Sequence, residues 1–313
     1  MQPRLYVILT AIAVLVLAAI LFVRNRPAYR QSGAEVVIRE PGDRLLGSPQ
    51  PVGPEAQKDL RFAWLSQAAY ENIPSAIKTS PGTDCLDPGT ALEAAGWSLW
   101  PDFPDKTLQD EIGKSHLRVD VWRNPASGEV AVAFGGTDAR SLKDWEANLR
   151  WFIPWHDDEY TKLVKLVGPK FVEEFIKRKQ EPGWEFLNHA TIYATGHSLG
   201  GGLAEEFAYS LPIDPGVPRV AHVFAFDPSP VTGYTSVKKA IRTANRQELK
   251  IDRIYERGEI LAILRSFTNS IDPPRATAPV IRQVRYNLFS RINPISGHSI
   301  PELACKLDKA TRN

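Results

Sequence analysis

The sequence predicts an α/β domain whose mainly parallel sheet carries helices on both faces, preceded by one membrane-spanning helix. Three observations carry that prediction. Short apolar strand patterns alternate with helical ones from Glu55 onward, the arrangement that buries a parallel sheet between two helical layers. The stretch ATIYATGHSLGGGLAEEFAYSL, Ala190 to Leu211, reads as strand, sharp turn and helix, with G-x-S-x-G at the turn (Gly196 to Gly200). Leu5 to Val23 holds no charge and is bounded by Arg4 and Arg24. As a helix it spans about 28 Å, close to the hydrocarbon thickness of a bilayer.

The chain divides by composition. Residues 1–24 form the anchor; LFVRNRPAYR follows the apolar run in place of a small-residue cleavage site. Arg4 and the amino terminus stand on one side of it, and Arg24, Arg26 and Arg30 on the other. The count favours a cytoplasmic catalytic domain by one charge, which leaves the side open. Residues 25–54, rich in proline and glycine around a short extended piece at Glu35 to Arg39, read as a linker or wrapping arm. Residues 55–313 are the folded domain.

Within it, Glu55 to Asn72 has helical spacing through Leu60, Ala63, Trp64 and Ala68. Ser80 to Lys106 reads as ordered loop with a short helix at Ala91 to Ala95, and with Trp97 and Trp100 as packing anchors. His116 to Arg123 and Glu129 to Phe134 form a hairpin across Asn124 to Gly128. Ser141 to Leu149 is a helix, and Lys162 to Lys179 an amphipathic one with Leu163, Leu166, Val167, Phe171, Phe175 and Ile176 as its stripe. Strands follow at Thr191 to Ala194, Val220 to Phe226, Ile251 to Tyr255 and Ile281 to Leu288, then a helix from Ile300 to Leu307.

Composition narrows the function. A formal charge of +2 with no basic tract gives no footprint for nucleic acid. Cys85 and Cys305 have no metal-site spacing and read as independent thiols; an oxidising compartment would leave one bridge open to them. No cluster has metal-ligand spacing; His156-Asp157-Asp158 reads as a solvated turn. The sequence calls for neither metal nor cofactor.

Ser198 is the candidate nucleophile. The turn strains its backbone, and the glycines around it relieve the crowding. A serine hydroxyl needs an imidazole to take its proton, and the imidazole needs an acceptor on its other nitrogen. Of six histidines, His116, His156 and His189 precede the serine, His222 sits in a strand as a packed residue, and His197 is expected to point away from the catalytic face. His298, on a loop entering the last helix, is the candidate base.

His197-Ser198-Leu199-Gly200-Gly201 within TGHSLGGGLA resembles the nucleophile segment of the class 3 (fungal-type) lipases, which have the α/β-hydrolase fold. Phe134-Gly135-Gly136-Thr137-Asp138, Asp144-Trp145 and Asn148-Leu149 resemble that family's block "F-R-G-T … D-W … D-L", with Gly135 where the family carries arginine. Gly297 to Ala304 is similar to the histidine-bearing end of bacterial members, so the chain looks like a distant, membrane-anchored one. The family's "H-x-G-F" feature is not evident.

The resemblance implies Glu259 as the acid, in place of the family's aspartate, with Asp227 as the alternative and Asp252 and Asp272 as weaker rivals. It implies the backbone N–H groups of Leu199 and Thr137 as the oxyanion hole. Trp151 to Trp155 lies where the family carries its lid or acyl-groove wall; core packing explains those aromatics equally well. The implied activity is hydrolysis of lipid carboxylic esters, as a lipase or phospholipase A, on a membrane lipid substrate. A thioesterase, an acyltransferase and an inactive membrane-tethered binding module remain as alternatives.

Overall fold

A computed structural model describes residues 34–70, 85–114, 117–136, 162–229, 232, 234, 236–259, 261, 275–289 and 296–312. The expected anchor, the helix at Ser141 to Leu149, the aromatic stretch at Trp151 to Trp155, His116, His156, Asp272 and Thr137 lie outside them. Among the described residues no helix is long and apolar enough to cross a membrane.

Nine strands among the described residues form one sheet, in the order β2-β1-β9-β8-β7-β6-β5-β4-β3. They are β1 (Glu35–Arg39), β2 (Pro49–Pro51), β3 (Ser98–Leu99), β4 (Arg118–Asn124), β5 (Glu129–Gly135), β6 (Thr191–His197), β7 (Val220–Phe226), β8 (Lys250–Glu256) and β9 (Val280–Asn287). From β5 to β9 each neighbouring pair is parallel. Antiparallel strands close both edges, β4 and β3 on one side, β1 and β2 on the other. This is the α/β-hydrolase topology.

The helices are α1 (Gly53–Ala68), α2 (Pro88–Ala94), α3 (Lys106–Gly113), α4 (Gly168–Arg178), α5 (Leu199–Ser210), α6 (Lys239–Asn245) and α7 (Ile300–Thr311). Two apolar clusters lie on opposite faces of the sheet. One joins Leu203, Phe207 and Ala208 of α5 and Phe171 and Phe175 of α4 to Val130, Val132, Ile192 and Val223. The other joins Phe62 and Leu65 of α1 and Leu303 and Leu307 of α7 to Ala133, Phe224, Phe226, Ile254 and Val284. Adjacent strand residues such as Val132 and Ala133 thus enter different layers, as period-two alternation requires. Phe62 stacks on Phe224 with ring centroids 3.7 Å apart.

Four readings of the sequence change. Glu35–Arg39 is a sheet strand, paired with β9 from Glu35↔Asn287 to Arg39↔Gln283, so the segment read as a linker or arm enters the fold ahead of Glu55. Ser98–Leu99, read as loop, pairs with Arg123 and Trp122. The amphipathic helix beginning at Lys162 opens instead with a wider π turn at Leu163–Val167, in which the Gly168 N–H bonds the Leu163 carbonyl. Pro169 has no N–H, so the ordinary ladder resumes only beyond it. Cys85 and Cys305 are joined as a disulfide with Cα atoms 5.2 Å apart, inside the range a bridge spans. Sequence spacing could not anticipate that, because 220 residues separate them.

A polar clamp ties α1 to the sheet. Arg282 of β9 binds Glu55 through its two terminal guanidinium nitrogens at 2.5 and 2.6 Å, Lys58 pairs with Asp252 of β8, and Tyr286 donates to Asp59 at 2.8 Å. Glu55, Asp59 and Asp252 bring carboxylate oxygens within 4.8 Å of one another. Lys58 and Arg282 already bring positive charge to that cluster.

One carboxylate works against stability. Burial pushes Asp120 up to about 6, only partly offset by the Arg118 charge. Between roughly pH 4 and pH 6 the folded chain then holds the proton longer than the unfolded chain, so stability falls as pH rises through that window. Asp120→Asn removes the penalty. We expect it to raise the unfolding free energy at pH 8 by about 2–3 kcal/mol and to change little at pH 4, as read from denaturant melts at the two pH values. An equal gain at both would refute the electrostatic cause.

Candidate active site

The site gathers at the carboxyl ends of the parallel strands, where ligands bind in open α/β sheets. β6 delivers Ser198 and α5 starts at the next residue. Ser198 has φ +58° and ψ −123°, a strained conformation for a residue with a side chain. The glycines two residues to either side allow it. A Cβ at Gly196 would lie 2.3 Å from the Gly200 carbonyl oxygen, and one at Gly200 would lie 2.2 Å from the Phe134 oxygen. The elbow is also bonded across to the end of β7. Ser198 N–H donates to Phe226 O at 2.9 Å, and Ser229 N–H to Ser198 O at 2.9 Å.

Two further segments meet the serine. His298 ends a short 3₁₀ turn, Ser296–His298, that runs into α7. The Ser299 side chain caps α7, and Ile300, Leu303, Ala304 and Leu307 bury it against the α1 layer. Glu259 follows β8 after a turn at Gly258, whose φ is +74°. Gly297 rests on Glu259: a Cβ there would lie 3.3 Å from the Glu259 Cβ, so a larger residue would push base and acid apart.

The three side chains form a continuous chain of hydrogen bonds. His298 Nε2 is 3.0 Å from Ser198 Oγ, and His298 Nδ1 is 2.9 Å from Glu259 Oε2. The same Glu259 oxygen accepts the Leu261 N–H at 2.8 Å, which fixes the carboxylate against its own chain. His298 and Glu259 are almost wholly buried, while Ser198 keeps some exposure. With Glu259 ionised, Nδ1 carries the ring proton and Nε2 faces the hydroxyl as an acceptor. That tautomer lets the imidazole take the serine proton.

Asp227, the alternative acid, stands elsewhere in the cluster. It closes β7, wholly buried, with Oδ2 3.8 Å from His197 Nε2. His197 departs from expectation. Its ring centroid lies 4.8 Å from that of His298, so it flanks the base. Strand alternation is the reason: Thr195 of β6 bonds Ser66 of α1 at 2.8 Å, and His197 shares that face. The face is the one α7 covers, and the turn into α7 carries His298 onto it.

Tyr70, just past α1, completes this flank and was not legible in the sequence. Its hydroxyl donates to His197 O at 3.0 Å, and Gly136 makes a backbone hydrogen bond to it. Burial pushes the phenol well above its ordinary range, so it stays a neutral donor.

His222 and Asp252 lie away from the serine, 3.4 Å apart in the clamp under α1. His189 is exposed in the turn Glu185–His189 that precedes β6. The Leu199 N–H stands in the first turn of α5, where amides point outward along the axis. Thr137 lies outside the described residues, but β5, which leads to it, ends against the elbow: a Cβ at Gly200 would also meet the Gly135 backbone at 3.1 Å. At Gly135, which stands where the class 3 pattern has arginine, a Cβ would lie 3.1 Å from Arg118 Cβ. The facing strand therefore brings an arginine across the position.

His197, Asp227 and His298 place ligand atoms within 4.8 Å of one another, so this trio has the donor set of a metal site. Both ring nitrogens of His298 are, however, already engaged by Ser198 and Glu259.

No family model and no curated protein matches the chain. Among solved structures it is similar to the Rhizomucor miehei lipase–propeptide complex, at 15% identity with a TM-score of 0.43, over 74% of this chain and 67% of that one. It is similar to lipase II from Rhizopus niveus at 14% and 0.43, over 74% and 79%, and to the Lip2 lipase from Yarrowia lipolytica at 19% and 0.40, over 66% and 72%. The chain spans about two thirds of the first of these. The chemistry rests on the site's own geometry: an α/β-hydrolase fold with serine, imidazole and carboxylate in hydrogen-bonded order matches a serine-hydrolase mechanism.

Proposed function

We propose that the chain is a membrane-anchored hydrolase of lipid carboxylic esters, with Ser198 as nucleophile, His298 as base and Glu259 as acid. The observation that carries the reading is the unbroken series Glu259–His298–Ser198, at 2.9 and 3.0 Å. Ser198 Oγ attacks the acyl carbon as His298 Nε2 takes its proton. The Leu199 and Thr137 amides hold the oxyanion. His298 returns the proton to the leaving alcohol, water deprotonated by the same imidazole cleaves the acyl-enzyme, and the fatty acid leaves. Glu259 holds the imidazole in the tautomer each step needs and faces the imidazolium when it forms.

The apolar run Leu5 to Val23 supports a lipid substrate, since it would hold the site beside a bilayer. The Cys85–Cys305 bridge supports placing the domain on an oxidising side of that membrane, against the one-charge count at the anchor. A fluorophosphonate probe on the full-length, detergent-solubilised chain should label the parent protein and not Ser198→Ala. A panel of glycerolipid and phospholipid vesicles should then yield free fatty acid with the matching lyso product. A folded parent chain that takes up no probe would sink the proposal; transfer of the acyl group to an added alcohol or thiol in place of water would reassign the reaction to an acyltransferase.

A further inference from the structure

A second, wholly buried carboxylate stands at the site beside the triad. Asp227 sits at φ +41°, a region glycine enters freely and other residues occupy at a cost. The backbone around it does the holding. Asp227 N–H donates to Ile254 O at 2.7 Å, and the flanking Phe226 O and Ser229 N–H bind Ser198. The carboxylate itself is wholly buried. One Oδ accepts the Glu256 N–H at 3.4 Å, and the other stands 3.8 Å from His197 Nε2. An Asp227 oxygen lies within 4.8 Å of a ring nitrogen of His298.

We propose that Asp227 is an auxiliary carboxylate on the flank of the triad, beside His197. It gives the imidazolium of His298 a second carboxylate, and it serves as reserve acid when Glu259 is lost. At this burial a charge a few ångströms away acts with little screening. Glu259 remains the principal acid because it alone of the two bonds Nδ1 in hydrogen-bonding geometry among the contacts described. His197 shares the Asp227 carboxylate and is itself held from the other side, with Tyr70 Oη 3.2 Å from Nδ1 and bonded to the His197 carbonyl. Asp227 is on this account a positioning residue that acts through His298, and the inference rests on the serine-hydrolase reading above.

The test is a double-mutant cycle on the full-length chain in detergent, with a short-chain p-nitrophenyl ester. Asp227→Asn alone should lower kcat about threefold at unchanged KM, and Glu259→Gln alone about a hundredfold. In the Glu259→Gln background, Asp227→Asn should cost a further factor of about ten or more, because the reserve acid then carries the imidazolium. A purely structural role would give the same factor in both backgrounds. That equality, or no effect in either, overturns the proposal. Asparagine tolerates positive φ, so the fold should persist, as thermal melts check; Asp227→Gly, which suits the same backbone, provides a second variant with the same expected pattern. Failure of the underlying reading looks different: a folded parent chain would neither hydrolyse the ester nor take up fluorophosphonate, and both readings would fall together.

Discussion

Replacing His298 with alanine is expected to lower kcat for ester hydrolysis by about 10⁵- to 10⁶-fold, with KM nearly unchanged. The imidazole makes its contribution only as the serine proton moves, so its loss is felt in the transition state and not in substrate binding. Both ring nitrogens are committed, Nε2 to Ser198 and Nδ1 to Glu259, and 1% of the residue is exposed. Solvent is therefore poorly placed to stand in for it. Fluorophosphonate labelling of Ser198 should slow in step with kcat. The melting temperature separates chemistry from folding, since α7 stays buried through Leu303 and Leu307. A variant that melts as the parent does yet keeps more than about a tenth of the parent kcat would remove His298 from its assigned role.

Breaking the Cys85–Cys305 bridge is the largest stability change we expect. The bond closes a loop with a sequence separation of 220 residues, and in chain-entropy terms a loop of that length is worth about 5 kcal/mol. Cys305→Ser should accordingly lower the melting temperature by roughly 10 °C. Reductant should do the same to the parent chain and nothing more to the variant. Cys305 belongs to α7, the helix His298 leads into, so activity should be lost at a lower temperature while hydrolysis well below the melt persists. Equal melting with and without reductant, when thiol titration shows both cysteines free, would exclude a stabilising bridge. A chain purified from its native source with both thiols reduced would place the domain in a reducing compartment.

Much of the fold was legible because its signals are local. A buried parallel strand is a short apolar run, a covering helix repeats its apolar residues at three and four, and β6, α5 and β7 follow those rules through Ile192, Leu203, Phe207 and Val223. The elbow was legible for the same reason: Gly196, Ser198 and Gly200 must be neighbours, and steric demand acts on each directly. Edge strands were harder. β1 and β3 lie within proline- and glycine-rich text, and only their partners, β9 and β4, make them strands.

The site divides along the same line. Chain order and the turn motif pointed to Ser198 and His298, and the family resemblance favoured Glu259 while leaving Asp227, at the end of the neighbouring strand, as the alternative. A helix or strand period cannot say which oxygen reaches Nδ1. That depended on the close seat of Gly297 on Glu259 and on the turn at Gly258. Tyr70 carried no signal, since a tyrosine at a helix end is common and its hydroxyl meets His197 only because α1 lies across β6. By itself the sequence determined the α/β class, the strained serine between its glycines and the charge-free run from Leu5 to Val23, all properties of neighbouring residues. Only the tertiary structure decided which acid bonds the base, that His197 and Asp227 flank it and that Cys85 meets Cys305. Those are contacts between residues far apart in the chain, and packing of the sheet and its two helical layers sets them.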